Sequence, residues 1–237
     1  MRILCHPGLG DHLIINGLVR EYVKAGNAIE LAVKVEYLES LGFLYRDLSA
    51  VTLTAIPRTA DPYVFQETWG GAAADCLRLG RFDPSWHRLL ETLVWDEVFY
   101  VQGNVPIAKR WESRSVVRDP QREQRVIDRL GYQYAGYQIL HEDRARGFLA
   151  DRSLLDPALP IVELDPVVTG PVTNNIFDFI SLFAGARAIH CFSSSFYHLA
   201  DHFVDAPQAK WIYHDYIRPT PVGKAGAPWV AIHRGKP

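Results

Sequence analysis

The sequence predicts an α/β protein with two halves, each built on a parallel sheet that is covered by helices on both faces. Short apolar runs alternate along the chain with segments whose apolar residues recur at helical spacing, a pattern typical of parallel sheets. The alternation restarts near Gly131–Gly136, which predicts a first lobe at residues 1–133 and a second at residues 134–237. The chain has 237 residues, 48% of them hydrophobic, and this is enough apolar material for both cores.

The first lobe is predicted to begin with a strand, a glycine-containing loop and a helix. Arg2–Cys5 is a short apolar run, and the apolar residues of His12–Ala25 recur at helical spacing. Asp119–Leu130 has the end signals of a helix, because Asp-Pro stands at its start and Gly131 follows its end. Between these elements we predict strands at Ile29–Val35 and Val51–Ile56, helical segments at Glu36–Leu44, Ala72–Leu79 and Trp86–Leu93, and an apolar segment at Glu97–Val101.

The second lobe repeats the alternation of strands and helices. Its two clearest elements are the apolar run Ala188–Phe192 and the helical segment Ser195–Phe203, which are separated by a run of serines. The other elements predicted here are strands at Tyr137–Leu140, Ile161–Leu164 and Lys210–Tyr213, and a helix at Ile176–Ala184. Both halves are therefore predicted to be lobes built from βα units.

Composition limits the partners that we expect. The formal net charge is −2, and acids are interspersed among the basic residues of Lys109–Arg125, so no nucleic-acid partner is expected. No apolar run approaches the ~20 residues that cross a bilayer, and no signal peptide is evident, so we expect a cytoplasmic protein without a transmembrane segment. Cys5, Cys76 and Cys191 lie far apart, which favours reduced thiols and predicts no metal site.

The loop after the first strand contains two glycines and an acid. Gly8 and Gly10 allow close backbone approach to a ligand, and amides at the start of the following helix can bind an anion. The loop is neither a Walker loop nor a complete dinucleotide fingerprint, because no Gly-Lys-Ser/Thr follows and His12 stands near the place of a third glycine. Simple capping of the helix by Asp11 is the competing interpretation.

Two further polar clusters follow strands of the second lobe. His141, Arg144 and Arg146 come after Tyr137–Leu140 and carry charge suited to a diphosphate, although a surface loop with internally paired charges explains them as well. The other cluster joins a strand to a helix, where hydroxyls and free amides suit phosphate binding, and capping alone would need only one serine. That cluster consists of Ser193, Ser194, Ser195 and His198.

Two of these segments resemble heptosyltransferase-like glycosyltransferases. Gly8-Leu9-Gly10-Asp11-His12-Leu13 is similar to the opening loop of that family, and Ile176–Ala200 is similar to its late donor-binding segment. The family segment commonly reads Asp-Ser-Gly-x-x-His-Leu-Ala, so here Ser193 replaces the acid and Ser195 replaces the glycine. The resemblance implies the GT-B architecture, in which two Rossmann-like lobes with parallel sheets enclose an interdomain cleft.

The resemblance also implies a mechanism. Asp11 would be the catalytic base of an inverting, metal-independent glycosyltransferase, with no cofactor beyond the nucleotide-sugar donor, and the first lobe would hold a glycan or lipid-linked acceptor. A lipid-linked acceptor would place the protein at the inner membrane surface, and Tyr100, Gln102 and Arg110–Arg114 are loose candidates for contacting it. The donor and its phosphates would be bound by Gly8, Gly10, His12, His141, Arg144, Arg146, Ser193, Ser194, Ser195 and His198.

Three other functions stay open at this point. A non-catalytic module that binds a nucleotide-sugar or glycan would keep the cleft and lose the chemistry. A nucleotide-sugar epimerase shares the scaffold but needs several acids or bases, and Asp11 is the single well-placed candidate in the first loop. A nicotinamide oxidoreductase would use an acid such as Glu36 after the second strand, and the incomplete glycine fingerprint argues against it.

Overall fold

A computed structural model describes residues 1–71, 76–132, 136–144, 147–164, 172–215 and 228–232. The chain forms two compact units, Met1–Val117 and Arg118–Pro237. The sequence had suggested a division after the helix Pro120–Leu130. The structure places the division before this helix, because the helix packs in the second unit. There Arg122 forms a two-pronged ion pair with Asp178, at 2.9 and 3.0 Å.

The first unit contains a four-stranded parallel sheet, which confirms the predicted α/β class for this half. The strand order is β3-β2-β1-β4, so the chain leaves β1 on one side and returns on the other. This reversal creates a topological switch point between β1 and β4. The strands are β1 (Arg2–Leu4), β2 (Ile29–Lys34), β3 (Val51–Ile56) and β4 (Cys76–Arg78).

The helical segments predicted at His12–Ala25, Glu36–Leu44 and Trp86–Leu93 are confirmed in position, and the helix Pro62–Gly70 was not predicted. The long predicted first helix is divided at Ile15 into α1 and α2, and the apolar segment Glu97–Val101 is part of α6. The prediction of a helical segment at Ala72–Leu79 is wrong for the part that the structure describes, because Cys76–Arg78 pairs with β1 as an edge strand. The helices are α1 (Leu9–Ile14), α2 (Asn16–Lys24), α3 (Leu38–Leu44), α4 (Pro62–Gly70), α5 (Trp86–Leu89), α6 (Trp95–Gln102) and α7 (Lys109–Glu112).

The second unit contains a five-stranded parallel sheet in the order β6-β5-β7-β8-β9. The chain again runs to one side of its first strand and then returns, so a second switch point lies between β5 and β7. The strands are β5 (Gln138–His141), β6 (Ile161–Glu163), β7 (Ala188–Phe192), β8 (Lys210–His214) and β9 (Val230–Ile232). The helices are α8 (Pro120–Leu130), α9 (Ile180–Ala184) and α10 (Ser195–Phe203).

Apolar packing fixes the strand ends that carry the polar loops. Ile3 and Leu4 of β1 are fully buried, as are Ile189 and Phe192 of β7. Within the described ranges, no helix has the length and apolarity that crossing a membrane requires. The sheet ends are therefore rigid positions from which side chains can be aimed.

Candidate functional site

Three of the polar clusters lie at the switch points of the two sheets. In the first unit, the loop His6–Gly8 leaves the carboxyl end of β1 and leads into α1, which contains Asp11. In the second unit, β5 ends at His141, and the serine turn follows β7, the strand that pairs with it. Ligands of open parallel sheets bind outside the carboxyl ends of the strands at such points.

Asp11 is held by a hydrogen bond to each of its carboxylate oxygens. Trp95 Nε1 donates to Oδ1 at 2.8 Å, and His6 Nδ1 lies 2.9 Å from Oδ2. The first helix begins at Leu9 with Gly8 as its N-cap and no side-chain capping bond, so Asp11 is not the N-cap. The Asp11 side chain is instead fixed in one orientation near the switch point.

A chain of hydrogen bonds continues from Asp11 through His6 to Tyr63. An ionised carboxylate can only accept a hydrogen bond, so the proton of the neutral His6 ring lies on Nδ1 and the lone pair lies on Nε2. The Tyr63 hydroxyl is 2.5 Å from this Nε2 atom and therefore donates to it. Burial raises the pKa of Tyr63, which keeps its phenol protonated, and the Arg81 guanidinium lies 3.8 Å from the centre of its ring.

Aromatic rings surround this hydrogen-bonded chain. The His6 ring meets the rings of Tyr63 and Trp95 edge to face, with 5.4 Å between centroids in both cases. Trp95 also packs against Trp86, at 4.6 Å, and against Phe99, at 5.6 Å. The first loop alone did not reveal these partners, because Tyr63 and Trp95 lie 57 positions from His6 and 84 positions from Asp11, respectively.

The glycines and His12 serve the shape of the first loop. A Cβ atom added to Gly8 would lie 2.5 Å from Asp11 Oδ2, so Gly8 makes room for the carboxylate. Gly10 lies within α1. His12 is fully buried beside the Cys5 thiol, 3.6 Å from Nδ1 to Sγ, and burial lowers its pKa to about 4. The structure places the His12 side chain in the core, which does not fit its predicted role in binding the donor phosphates.

The second unit brings His141 and the serine turn together. His141 donates from Nδ1 to the Leu164 carbonyl at 2.7 Å, and its ring lies 4.8 Å from that of Phe196, at the start of α10. Ser194 is the N-cap of α10 and accepts a bond from the Tyr197 amide at 3.3 Å. Ser194 and Ser195 are half-buried and Ser193 is buried.

The remaining predicted donor residues have other surroundings. Arg144 pairs with Glu142 at 2.9 Å and with Glu163 at 3.0 Å, and Arg152 pairs with the same two carboxylates. This matches the interpretation of the loop as internally paired charges. His198 is buried beside Tyr197. Arg146 lies outside the described residues.

The loose acceptor candidates of the first lobe have structural contacts. The Tyr100 hydroxyl is buried and donates to the Ile14 carbonyl at 2.9 Å. Gln102 bonds both the amide and the carbonyl of Gly80, and Arg110 forms a fully buried ion pair with Asp96. These contacts hold α6 and α7 against the rest of the unit.

Neither a metal centre nor a known family is indicated by the described residues. In the ranges that the structure describes, no group of three or more His, Cys, Asp or Glu side chains is arranged to hold a metal ion. Comparisons of the chain with protein-family models, with curated proteins and with solved structures found no match. The resemblance to heptosyltransferase-like enzymes therefore stays a prediction.

Proposed function

We propose that this chain is a metal-independent glycosyltransferase of GT-B type, which moves a sugar from a nucleotide-sugar to a hydroxyl acceptor with inversion. One observation carries the proposal: at the switch point after β1, the Asp11 carboxylate is held by two N–H donors, the Trp95 indole and the His6 imidazole. A positioned proton acceptor is what attack by a hydroxyl group requires. The surrounding aromatic rings give the site apolar walls against which a sugar face can pack.

The second unit supplies the site for the leaving group. The serine turn carries three hydroxyl groups at the start of α10, a nine-residue helix, and His141 lies beside it. Such donors suit the negative charge that gathers on a departing nucleoside diphosphate. The acceptor oxygen bonds to the anomeric carbon as the carbon–oxygen bond to the diphosphate breaks. The bonding electrons leave with the diphosphate, and the acceptor's proton passes to the base of the first unit.

A binding module without catalysis is the second candidate. The observation that favours it is the pairing of Arg144 with Glu142 and Glu163, which leaves this arginine committed to carboxylates. A weaker positive field at the diphosphate would favour binding of a sugar over departure of a leaving group.

The substitution Asp11→Asn separates these two functions. We expect wild-type protein to release nucleoside diphosphate from one member of a panel of UDP-, GDP-, ADP- and dTDP-sugars, in the presence of EDTA. Asp11→Asn should lower that rate by about 10²–10⁴-fold, because help from a positioned base is lost. Thermal stabilisation by the nucleotide should survive, at roughly 2.7 kcal/mol for ligand at 100 times its dissociation constant.

The matched control is Asp47→Asn, which removes a carboxylate that pairs with Arg20 in the same unit. It should leave the rate of release within a few-fold of wild type. Thermal stabilisation by a nucleotide-sugar without any release would instead identify a binding module.

A further inference from the structure

The Asp11 carboxylate is less exposed to a substrate than the His6 ring that is bonded to it. Both of its oxygens already accept hydrogen bonds, from Trp95 and His6, and its side chain is 12% exposed. The His6 side chain is 28% exposed. A general base must present a lone pair to the proton that it removes, and in this site the lone pair that continues the chain of hydrogen bonds belongs to His6 Nε2.

We propose that His6 is the proton acceptor of this site, that Tyr63 passes the proton to it, and that Asp11 is the positioning residue of the pair. The inference rests on the proposed glycosyl transfer and specifies its base. The acceptor hydroxyl bonds to Tyr63 Oη and loses its proton to that oxygen as its own oxygen attacks the anomeric carbon. The phenolic proton moves across the 2.5 Å contact to His6 Nε2. The proton on Nδ1 stays between His6 and Asp11.

The charges of the site fit this transfer. After the transfer, His6 is a cation beside the Asp11 carboxylate, so the ion pair stabilises the protonated state. Trp95 holds the other oxygen and prevents the carboxylate from turning away. Arg81 lies over the Tyr63 ring, where its positive charge stabilises negative charge that develops on the phenol oxygen during transfer.

The direct test compares His6→Gln, Tyr63→Phe and Asp11→Asn in full-length protein, with nucleoside diphosphate release from the sugar-nucleotide panel as the assay and free hexoses as acceptors. Each substitution should lower kcat/KM by about 10²–10⁴-fold, since His6→Gln and Tyr63→Phe interrupt the proton path and Asp11→Asn removes the carboxylate that orients His6. Tyr22→Phe is the matched control, because the Tyr22 hydroxyl donates only a structural bond to the Gly103 carbonyl, at 2.9 Å. It should stay within a few-fold of wild type.

Two readouts distinguish a proton path from a structural role. The rise of wild-type kcat/KM with pH should follow the titration of His6 seen by proton NMR. The pH profile of kcat/KM for His6→Gln should lack this rise. Long-range ¹⁵N–¹H correlation spectra at neutral pH should show the His6 proton on Nδ1, and Asp11→Asn should weaken that preference. A merely structural contact would change the stability of the protein and leave the rise of kcat/KM with pH unchanged.

The outcomes separate this inference from the proposed function. An active His6→Gln variant beside an inactive Asp11→Asn variant makes Asp11 the direct base and overturns the inference alone. An active Tyr63→Phe variant overturns the relay through the phenol. A His6 proton on Nε2 overturns the inference whether or not turnover occurs. If wild-type protein releases no nucleoside diphosphate from any member of the panel, the proposed function and the inference are overturned together.

Discussion

At the scale of single residues, Gly8 and Asp11 depend on each other through space. The Gly8 backbone has φ −78°, a conformation open to any residue, so the need for glycine comes from contact and not from strain. Any side chain here meets the carboxylate that the site is built around.

We expect Gly8→Ala to displace Asp11 and to lower nucleoside diphosphate release at least tenfold. The added Cβ lies 2.5 Å from Oδ2, so the carboxylate must turn away from His6 or the loop must shift. Gly42→Ala is the control, since nothing lies within 4 Å of its added Cβ. In α3 that alanine should stabilise the protein by about 0.5–1 kcal/mol and leave release unchanged. Equal rates for the two variants would contradict the proposed role of the Asp11 orientation.

Three buried histidines make the fold sensitive to acid. Burial lowers the pKa of His12, His190 and His214 to about 4, from an ordinary value of 6.5. Between pH 6.5 and 4 the unfolded chain therefore binds protons that the folded chain does not, and the free energy of unfolding falls as pH falls. Each histidine contributes at most about 3 kcal/mol to this loss.

Urea unfolding at pH 7.5, 5.5 and 4.5 measures this loss. We expect His12→Leu to lose less stability on acidification than wild type, because one buried imidazole no longer has to be kept neutral. His87→Gln changes an exposed histidine and should follow the wild-type curve. An unchanged pH dependence in His12→Leu would show that His12 does not contribute.

The first loop could be predicted from the sequence because its residues are close together along the chain. Gly8 precedes α1, and Asp11 lies three positions further on in the first turn of that helix. His6 stands in the same loop, but its importance depends on Tyr63 and Trp95, which come from distant elements. A single sequence carries no signal for such long-range pairs.

At the scale of elements, α4 positions Tyr63. Asp61 caps this helix by accepting from the amides of Tyr63, at 2.9 Å, and Val64, at 3.0 Å, and Pro62 stands in its first turn. The same Asp-Pro start predicted α8, where Asp119 accepts from Gln121 and Arg122. The sequence signal for α4 was therefore present, although the helix was not predicted.

Removing the two caps should cost similar stability and have different effects on turnover. Asp61→Ala and Asp119→Ala should each destabilise the protein by about 1 kcal/mol, because each leaves amides at a helix start without their acceptor. Only Asp61→Ala should also lower nucleoside diphosphate release, since it loosens the turn that holds Tyr63. Thermal melts and initial rates check both effects, and equal rates for the two variants would contradict a role for α4 in the site.

Besides α4, the sequence missed two short edge strands. β4 and β9 each have three residues, too few for a period of two to be recognised. Pairing with β1 and β8 makes them strands, and this is tertiary information. The longer β7 and α10 have the predicted bounds because their apolar patterns and the serine cap are local.

At the scale of the whole molecule, the two parallel sheets follow from the alternation of strands and helices, and both were predictable. The position of the division was not, because α8 precedes the first strand of the second unit and belongs with it by packing. Each switch point lies beside a cluster that the sequence predicted as a candidate site.

Glycosyl transfer is the central claim, and proton NMR of one reaction tests it most directly. The reaction mixture would contain wild-type protein, EDTA, free hexoses as acceptors and the nucleotide-sugar that stabilises the protein most. The reaction would be followed through the anomeric proton signals of the donor and the product. We predict that the anomeric signal of the donor decays while a product signal of the opposite anomeric configuration grows, as inversion requires. An unchanged donor signal would contradict catalysis, and a product with the same anomeric configuration as the donor would contradict the single displacement that the site is proposed to perform.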